Sequence, residues 1–555
     1  MQALLKNFAV KHFCHELSQQ LIRLNRNQRR RGVMVRKGFL YGTFVLVSAG
    51  FITKILGFIY RIALSRIIGD EGMGLFQMAF PILSFTIVIT TAGLPVAISK
   101  LVSEAEAKQQ EGRIRSILII SIFIVIITST IVTGGVLIAA PWIARMLLTD
   151  ERAIYTLLGI APIIPIIAVS SIFRGYFQGR QNMSPYAIST IVEQFVRIFT
   201  VLLIAGYLLK FGVEYAAAGA MLGMVVGEFA GMMFLIRSFK KDPTRPKLDK
   251  TFLKPGWKPF RQTFRDLFRL AAPVTASRMI GSFSYAIEPI VVAQSLAMAG
   301  FATTTATALY GQLEGMAVPL TFFPAFITYA LSVSLVPAVS EAAAKKNDRL
   351  IEHRLQQAIR LSFIVTAPCA LILYLLAEPL SILLYRQPDV ARLIRIMAPF
   401  TMIHALQGPF ASVLQGLDKA QAPMRNSIIG AVFKTILILM LASRPELGID
   451  GVALAINCGI LIVTTLHFID IVKLVPFHMK IKEWGKLALT IFIAAVVFRF
   501  SNFSGSDSML IQTVIQAGVT LLSYGICLIL FSLIQKNDVL RIPLIGKWVA
   551  RILPK

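Results

Sequence analysis

Charged side chains set inside long apolar runs are the residues of this 555-residue chain whose types and spacing could do chemistry. Lys54 and Arg61 lie seven apart, so two helical turns bring them to one face. Gly50 and Gly57 share that stripe and leave room beside the cations. A second set holds Arg278, Tyr285 and Glu288, and the next apolar run adds Glu314. Lys and Arg give phosphate oxygens charge-assisted hydrogen bonds. Lys54, Arg61 and Arg278 are therefore the candidate residues for holding an anionic, diphosphate-type group. Glu288 and Glu314 are the acids expected to balance them. The competing reading pairs Lys54 and Arg61 with Glu288 or Glu314 as structural ion pairs. Glu193 and Arg197 are four apart on one run and read as a structural ion pair. Lys434 has no such acid on its own run and faces either the cavity or an interface, whereas Glu228 and Asp470 are expected to be solvated near helix ends.

These charges need elements that carry them through an apolar medium. The chain holds 56 Lys and Arg against 28 Asp and Glu, a formal charge of +28, yet 56% of it is apolar and only 15% charged. Apolar runs of about 20 residues recur, the length a membrane-crossing helix requires. They lie at 39–67, 75–99, 116–140, 154–173, 186–209, 213–236, 267–296, 309–336, 359–384, 393–416, 426–443, 451–472, 487–503 and 511–534. The expected fold is an all-α polytopic membrane protein with fourteen transmembrane helices. By placement, 42 of the 56 Lys and Arg fall on the side of the two termini, nine on the opposite side and five inside the spans. Cytoplasmic segments are enriched in these residues, which places both termini in the cytoplasm. The charge is thus an orientation signal that faces membrane lipids, and nucleic acid is excluded as a partner. The four cysteines and six histidines form no metal-ligand spacing, so no metal or cofactor is expected.

The chain also repeats itself. Val102-Ser103-Glu104-Ala105 returns as Val339-Ser340-Glu341-Ala342, Ala161-Pro162 as Ala398-Pro399, and Gln178-Gly179 as Gln415-Gly416, each 237 residues on. Gly212-Val213-Glu214 matches Gly448-Ile449-Asp450, and Thr53 to Gly57 resembles Ser277 to Gly281. Each repeat spans an even number of helices, so the two lobes run in the same sense, with a substrate expected between them. The expected organisation is a basic tail over 1–36, an N-lobe over 37–236 and a cytoplasmic basic linker over 237–266. A C-lobe over 267–472 follows, with two extra helices and a basic tail over 473–555. Met34, just before Arg36 and Lys37, is an alternative start.

With the repeat and the embedded charges established, the sequence resembles the multidrug/oligosaccharidyl-lipid/polysaccharide exporter superfamily. Within it, the chain is most similar to stage V sporulation protein B-like members of the polysaccharide exporter and MurJ-type lipid II flippase group. The resemblance covers about residues 37–555 and is carried by GLPVAISKLVSEA at 93–105, RGYFQGRQNMSP at 174–185, EQFVRI at 193–198 and EPIVVAQSLA at 288–297. It implies two six-helix lobes around a V-shaped cavity lined by spans 1, 2, 7 and 8, with spans 13 and 14 offering a groove for a lipid tail. It also implies cavity cations at about Lys54 and Arg61 and a cavity acid at Glu314. An arginine of the family pattern, three residues before that acid, is replaced by Gly311.

The function expected on these grounds is a membrane flippase for a polyprenyl-diphosphate-linked glycan precursor, lipid II-like, serving peptidoglycan and spore cortex synthesis. Its partners would be the lipid-linked substrate, membrane lipids and cell-wall synthases. Two alternatives are a cation-coupled multidrug exporter of the same fold, which should line its cavity mainly with carboxylates, and a non-transporting scaffold for wall synthesis. An enzyme is not expected, because the short loops opposite the termini hold no acid/base or nucleophile set.

Overall fold

The computed structural model describes residues 39–246, 257–478, 481–501 and 508–533. No strand occurs among the described residues. The N-lobe comprises α1 (Phe39–Thr91), α2 (Leu94–Ala107), α3 (Glu111–Trp142), α4 (Ala153–Ile160), α5 (Ile163–Gly179), α6 (Ser184–Leu208) and α7 (Val213–Lys241). The C-lobe comprises α8 (Trp257–Met298), α9 (Thr303–Tyr310), α10 (Val318–Phe322), α11 (Ala325–Ala344), α12 (Asp348–Leu375), α13 (Ala377–Tyr385), α14 (Val390–Met397), α15 (Thr401–Gly416), α16 (Gln421–Ala442) and α17 (Gly448–Val472). Two further helices, α18 (Ile481–Phe500) and α19 (Met509–Leu530), follow. Among the described residues, ten helical stretches are long and apolar enough to cross a membrane, and one of them, Ser48–Ala107, covers most of the first expected span and all of the second. All fourteen overlap helical segments, some broken by short turns such as those at 92–93, 161–162 and 323–324, and the thirteenth and fourteenth run beyond the described residues, which is consistent with the expected count. The tail over 1–36 and the centre of the linker lie outside the described residues.

The internal repeat is written into the backbone as well as the sequence. Left-handed backbone is unfavourable for residues with a Cβ. Six such residues nevertheless come in pairs 237 apart: Gln109 with Lys346, Thr149 with Arg386, and Gln181 with Asp418. Their φ values match within a few degrees, at 54° and 51°, 59° and 61°, and 56° and 59°. The same tight turns therefore link equivalent helices in both lobes.

One further pair of repeat-equivalent positions joins the lobes. The long helix α1 changes direction at Gly69, whose φ of 70° only glycine adopts without strain. Just beyond the bend, Gly74 lies so close to the Thr307 carbonyl that any Cβ would collide with it. Gly311 lies as close to the Asp70 carbonyl. Gly74 and Gly311 are 237 apart, as are Asp70 and Thr307, so each lobe presses its glycine onto the other's backbone around a pseudo-twofold axis.

Apolar packing follows this arrangement. At the end holding the bend, one core runs through both lobes and includes Leu64, Met73, Leu313, Met316, Leu393 and Ile438. At the opposite end it divides. One cluster, with Ile98, Ile117 and Tyr176, belongs to the N-lobe and the start of α8, and another, with Val339, Leu355 and Val413, belongs to the C-lobe. The lobes are fused at one end and have separate cores towards the other.

Candidate functional site

Aromatic contacts join α1 to the C-lobe. Phe51 stacks on Phe326 at 5.5 Å and Phe58 meets Phe323 at 4.5 Å, tying the first arm of α1 to the helix that follows Glu314. Phe85 meets Phe283 at 5.6 Å, tying the second arm to α8. Between these contacts the surface is open: a Cβ at Gly50 or Gly281 would meet nothing within 4 Å. Lys54 and Arg278 are exposed and Arg61 is half-buried. None of the three has an ion-pair partner among the described residues. A cation in a membrane-crossing helix is costly unless it meets an anion or water.

Glu314 sits in a π-helical turn, Gly311–Ala317, between α9 and α10. Wider turns of this kind often accompany functional sites because they redirect one side chain. The turn is held by Gln77, whose Nε2 donates to the Glu314 carbonyl at 2.9 Å. Its first residue, Gly311, is pressed against Asp70, which explains why an arginine cannot stand there in this arrangement. The Glu314 carboxylate has no ion-pair partner among the described residues, but the charges of Glu288, Lys434 and Arg61 all act on it. Tyr285 lies in the same field, acted on by Glu314, Arg61 and Glu288. The repeat places Tyr285 at the position that Arg61 occupies in the first half.

Glu288 is buried, and its Oε2 accepts from the Lys434 ammonium at 2.6 Å. The structure thus gives Lys434 an acid from α8 in place of one on its own helix. It also leaves Lys54 and Arg61 without Glu288 as a partner.

In the N-lobe, Glu193 and Arg197 form an ion pair, but they are half of a larger cluster. Arg174 lies 3.1 Å from Glu193 and 2.8 Å from Glu228, and Arg197 lies 3.8 Å from Glu228. The expectation that Glu228 is solvated is corrected: it is only 3% exposed. It sits more than three turns from either end of α7, where Gly227 gives Arg197 room to approach. Arg174 was missed because the expected span ends at residue 173. The signal available for it was the pair of acids, Glu193 and Glu228, facing one nearby cation. Asp470 is also held, by Arg425 at 2.7 Å and Asn426 at 2.8 Å.

The fused end is closed by a polar latch, most of it outside the expected spans. Arg152 bonds Asp150 at 2.9 Å and Glu71 at 2.6 Å, and the Thr307 hydroxyl donates to Asp150 at 2.7 Å across the lobes. The Gln312 amide donates to Asp70 at 2.8 Å. Burial pushes the Asp150 carboxyl up, but hydrogen bonds from Arg152 and Thr307 outweigh it and hold the group below its ordinary range. Arg66 adds bonds from its guanidinium to the Leu383 and Leu384 carbonyls at the end of α13.

No group of His, Cys, Asp and Glu that could hold a metal ion occurs among the described residues. The two-lobed helical bundle, with its long apolar helices, is that of a multi-pass membrane protein. The chain belongs to the polysaccharide biosynthesis protein family, which matches residues 39–343, and the MatE family matches residues 289–440. It is 44% identical over 522 residues to stage V sporulation protein B of Bacillus subtilis (strain 168), covering 93% of this chain and 100% of that protein. It is 26% identical over 464 residues to the lipid II flippase MurJ of the same organism, covering 80% and 84%. The fold superposes on a solved lipid II flippase MurJ in its inward closed conformation with a TM-score of 0.66 and 16% identity, covering 90% of this chain and all of that one.

Proposed function

We propose that the protein is a flippase of the bacterial cell membrane that moves a polyprenyl-diphosphate-linked glycan precursor from the inner to the outer leaflet for peptidoglycan, including spore cortex, synthesis. The observation that carries this reading is the set of three cations, Lys54, Arg61 and Arg278, left without ion-pair partners beside open space between the lobes. A diphosphate is the anion that their charge and hydrogen-bonding capacity suit. Similarity to stage V sporulation protein B and to the MurJ flippase supports the same substrate class. With both termini and the 237–266 linker on the cytoplasmic side, the fused end faces outward. The headgroup then enters from the inner leaflet, and rocking of the lobes about the linker opens the latch at Gly74 and Gly311. Glu314 balances Arg61 when the site is empty and limits how tightly the anion is held.

A drug exporter of the same fold would take cationic substrates on carboxylates, but Glu288 is already paired with Lys434. The test is flipping of labelled lipid II in vesicles containing the purified protein. Lys54→Ala and Arg61→Ala should each abolish flipping while the protein still reaches the membrane. Full activity in both would remove the diphosphate role from this face.

A further inference from the structure

The pair formed by Glu288 and Lys434 has a geometry that sets it apart from the other embedded charges. Glu288 is 6% exposed within a membrane-crossing helix, where a carboxylate needs a cation beside it at all times. Its cation is the Lys434 ammonium at 2.6 Å. Lys434 is the repeat equivalent of Arg197, but the acid that answers Arg197, Glu193, is replaced by Gly430, leaving Lys434 to Glu288. The lysine stem packs on Gly459, where a Cβ would stand 3.2 Å from that of Lys434, so α17 leaves a slot for it. Both α8 and α16 belong to the C-lobe, and rocking of one lobe against the other leaves the pair intact.

We propose that the Lys434 ammonium is a tethered counter-cation filling a monovalent-cation site beside Glu288, so that the C-lobe takes up no mobile ion there and gains a cation-binding site when the ammonium is removed. The vacated slot would hold Glu288 as its one charged oxygen ligand, with the Glu314 charge nearby adding to the attraction. Small monovalent cations match the single charge and the size of an ammonium. This inference is independent of the transported molecule, because it concerns binding in the absence of substrate.

The test uses the purified full chain in detergent, with melting followed at fixed ionic strength in sodium, potassium, lithium or choline chloride. Wild type should melt at one temperature in all four salts. Lys434→Met should melt lower in choline and be restored saturably by at least one small cation, by about 2 °C or more. The double variant Lys434→Met with Glu288→Gln should lose that response. A saturable small-cation effect on wild type that Glu288→Gln abolishes would overturn the proposal, since a mobile ion would then bind despite the lysine. So would a Lys434→Met protein that folds with no cation response. If Lys434→Met fails to fold in every salt while the double variant folds, the carboxylate recruits no ion and the site is refuted. Failure of both variants assigns the pair to packing alone and refutes it equally.

Discussion

The N-lobe buries Arg174, Glu193, Arg197 and Glu228 against one another, whereas the face between the lobes leaves Lys54, Arg61 and Arg278 without ion-pair partners. Both sets lie in membrane-crossing helices of the same chain. The first is neutral and drawn from three helices, so each charge finds its opposite within one lobe. The second is cationic and has no ion-pair partner among the described residues. The contrast separates charge that holds a lobe together from charge that is free to meet a ligand.

Removing one member of the neutral cluster should give the largest effect on stability. Glu228→Ala leaves two guanidiniums with one carboxylate and should cost about 3–5 kcal/mol in thermal unfolding of the purified protein. A loss below about 1 kcal/mol would show that water already reaches the cluster. The fused end comes next. Gly311→Ala drives a methyl into the Asp70 carbonyl and should cost about 1–3 kcal/mol. It should also sharply reduce disulfide formation between cysteines placed at Asp70 and Gln312, whose side chains touch in the closed form.

The latch residue Asp150 should act more weakly and with a defined pH dependence. Its folded carboxyl lies below the unfolded value of about 3.9, so the stability it contributes is present above that value. The contribution is lost as pH falls through the lower folded value. Asp150→Asn should cost about 1–2 kcal/mol at pH 7. The gap to wild type should stay constant from about pH 5 to 8 and close only below about pH 4. Smallest in stability, and largest in function, should be Lys54→Ala and Arg61→Ala. With no ion pair to break, each should shift unfolding by less than about 0.5 kcal/mol while abolishing flipping. A large loss of stability in either would move it to the structural set.

Much of this was legible before folding was considered. Runs of about 20 apolar residues must form helices in a membrane, because no other backbone arrangement satisfies its own polar groups there. The offset of 237 residues gave the lobes and their common direction, and the turns at Gln109 and Lys346 share it. Lys54 and Arg61 were found by their seven-residue spacing on an apolar helix. Arg174 and Glu228 were not assigned to the N-lobe cluster, because their partners lie 19 and 54 residues apart in the chain and both sit near expected span ends. Gly311 read as a missing cation; its purpose became visible only once Asp70 stood beside it.

The sequence by itself therefore determined the medium, the helices, the repeat and the residues carrying embedded charge, since these follow from local composition and spacing. Tertiary structure decided which charges are neutralised and which remain open to a ligand. Lys434 and Glu288 stand 146 residues apart, and Gln77 and Glu314 237 apart. Pairing over such separations depends on where packed helices meet, and no periodicity along the chain encodes it.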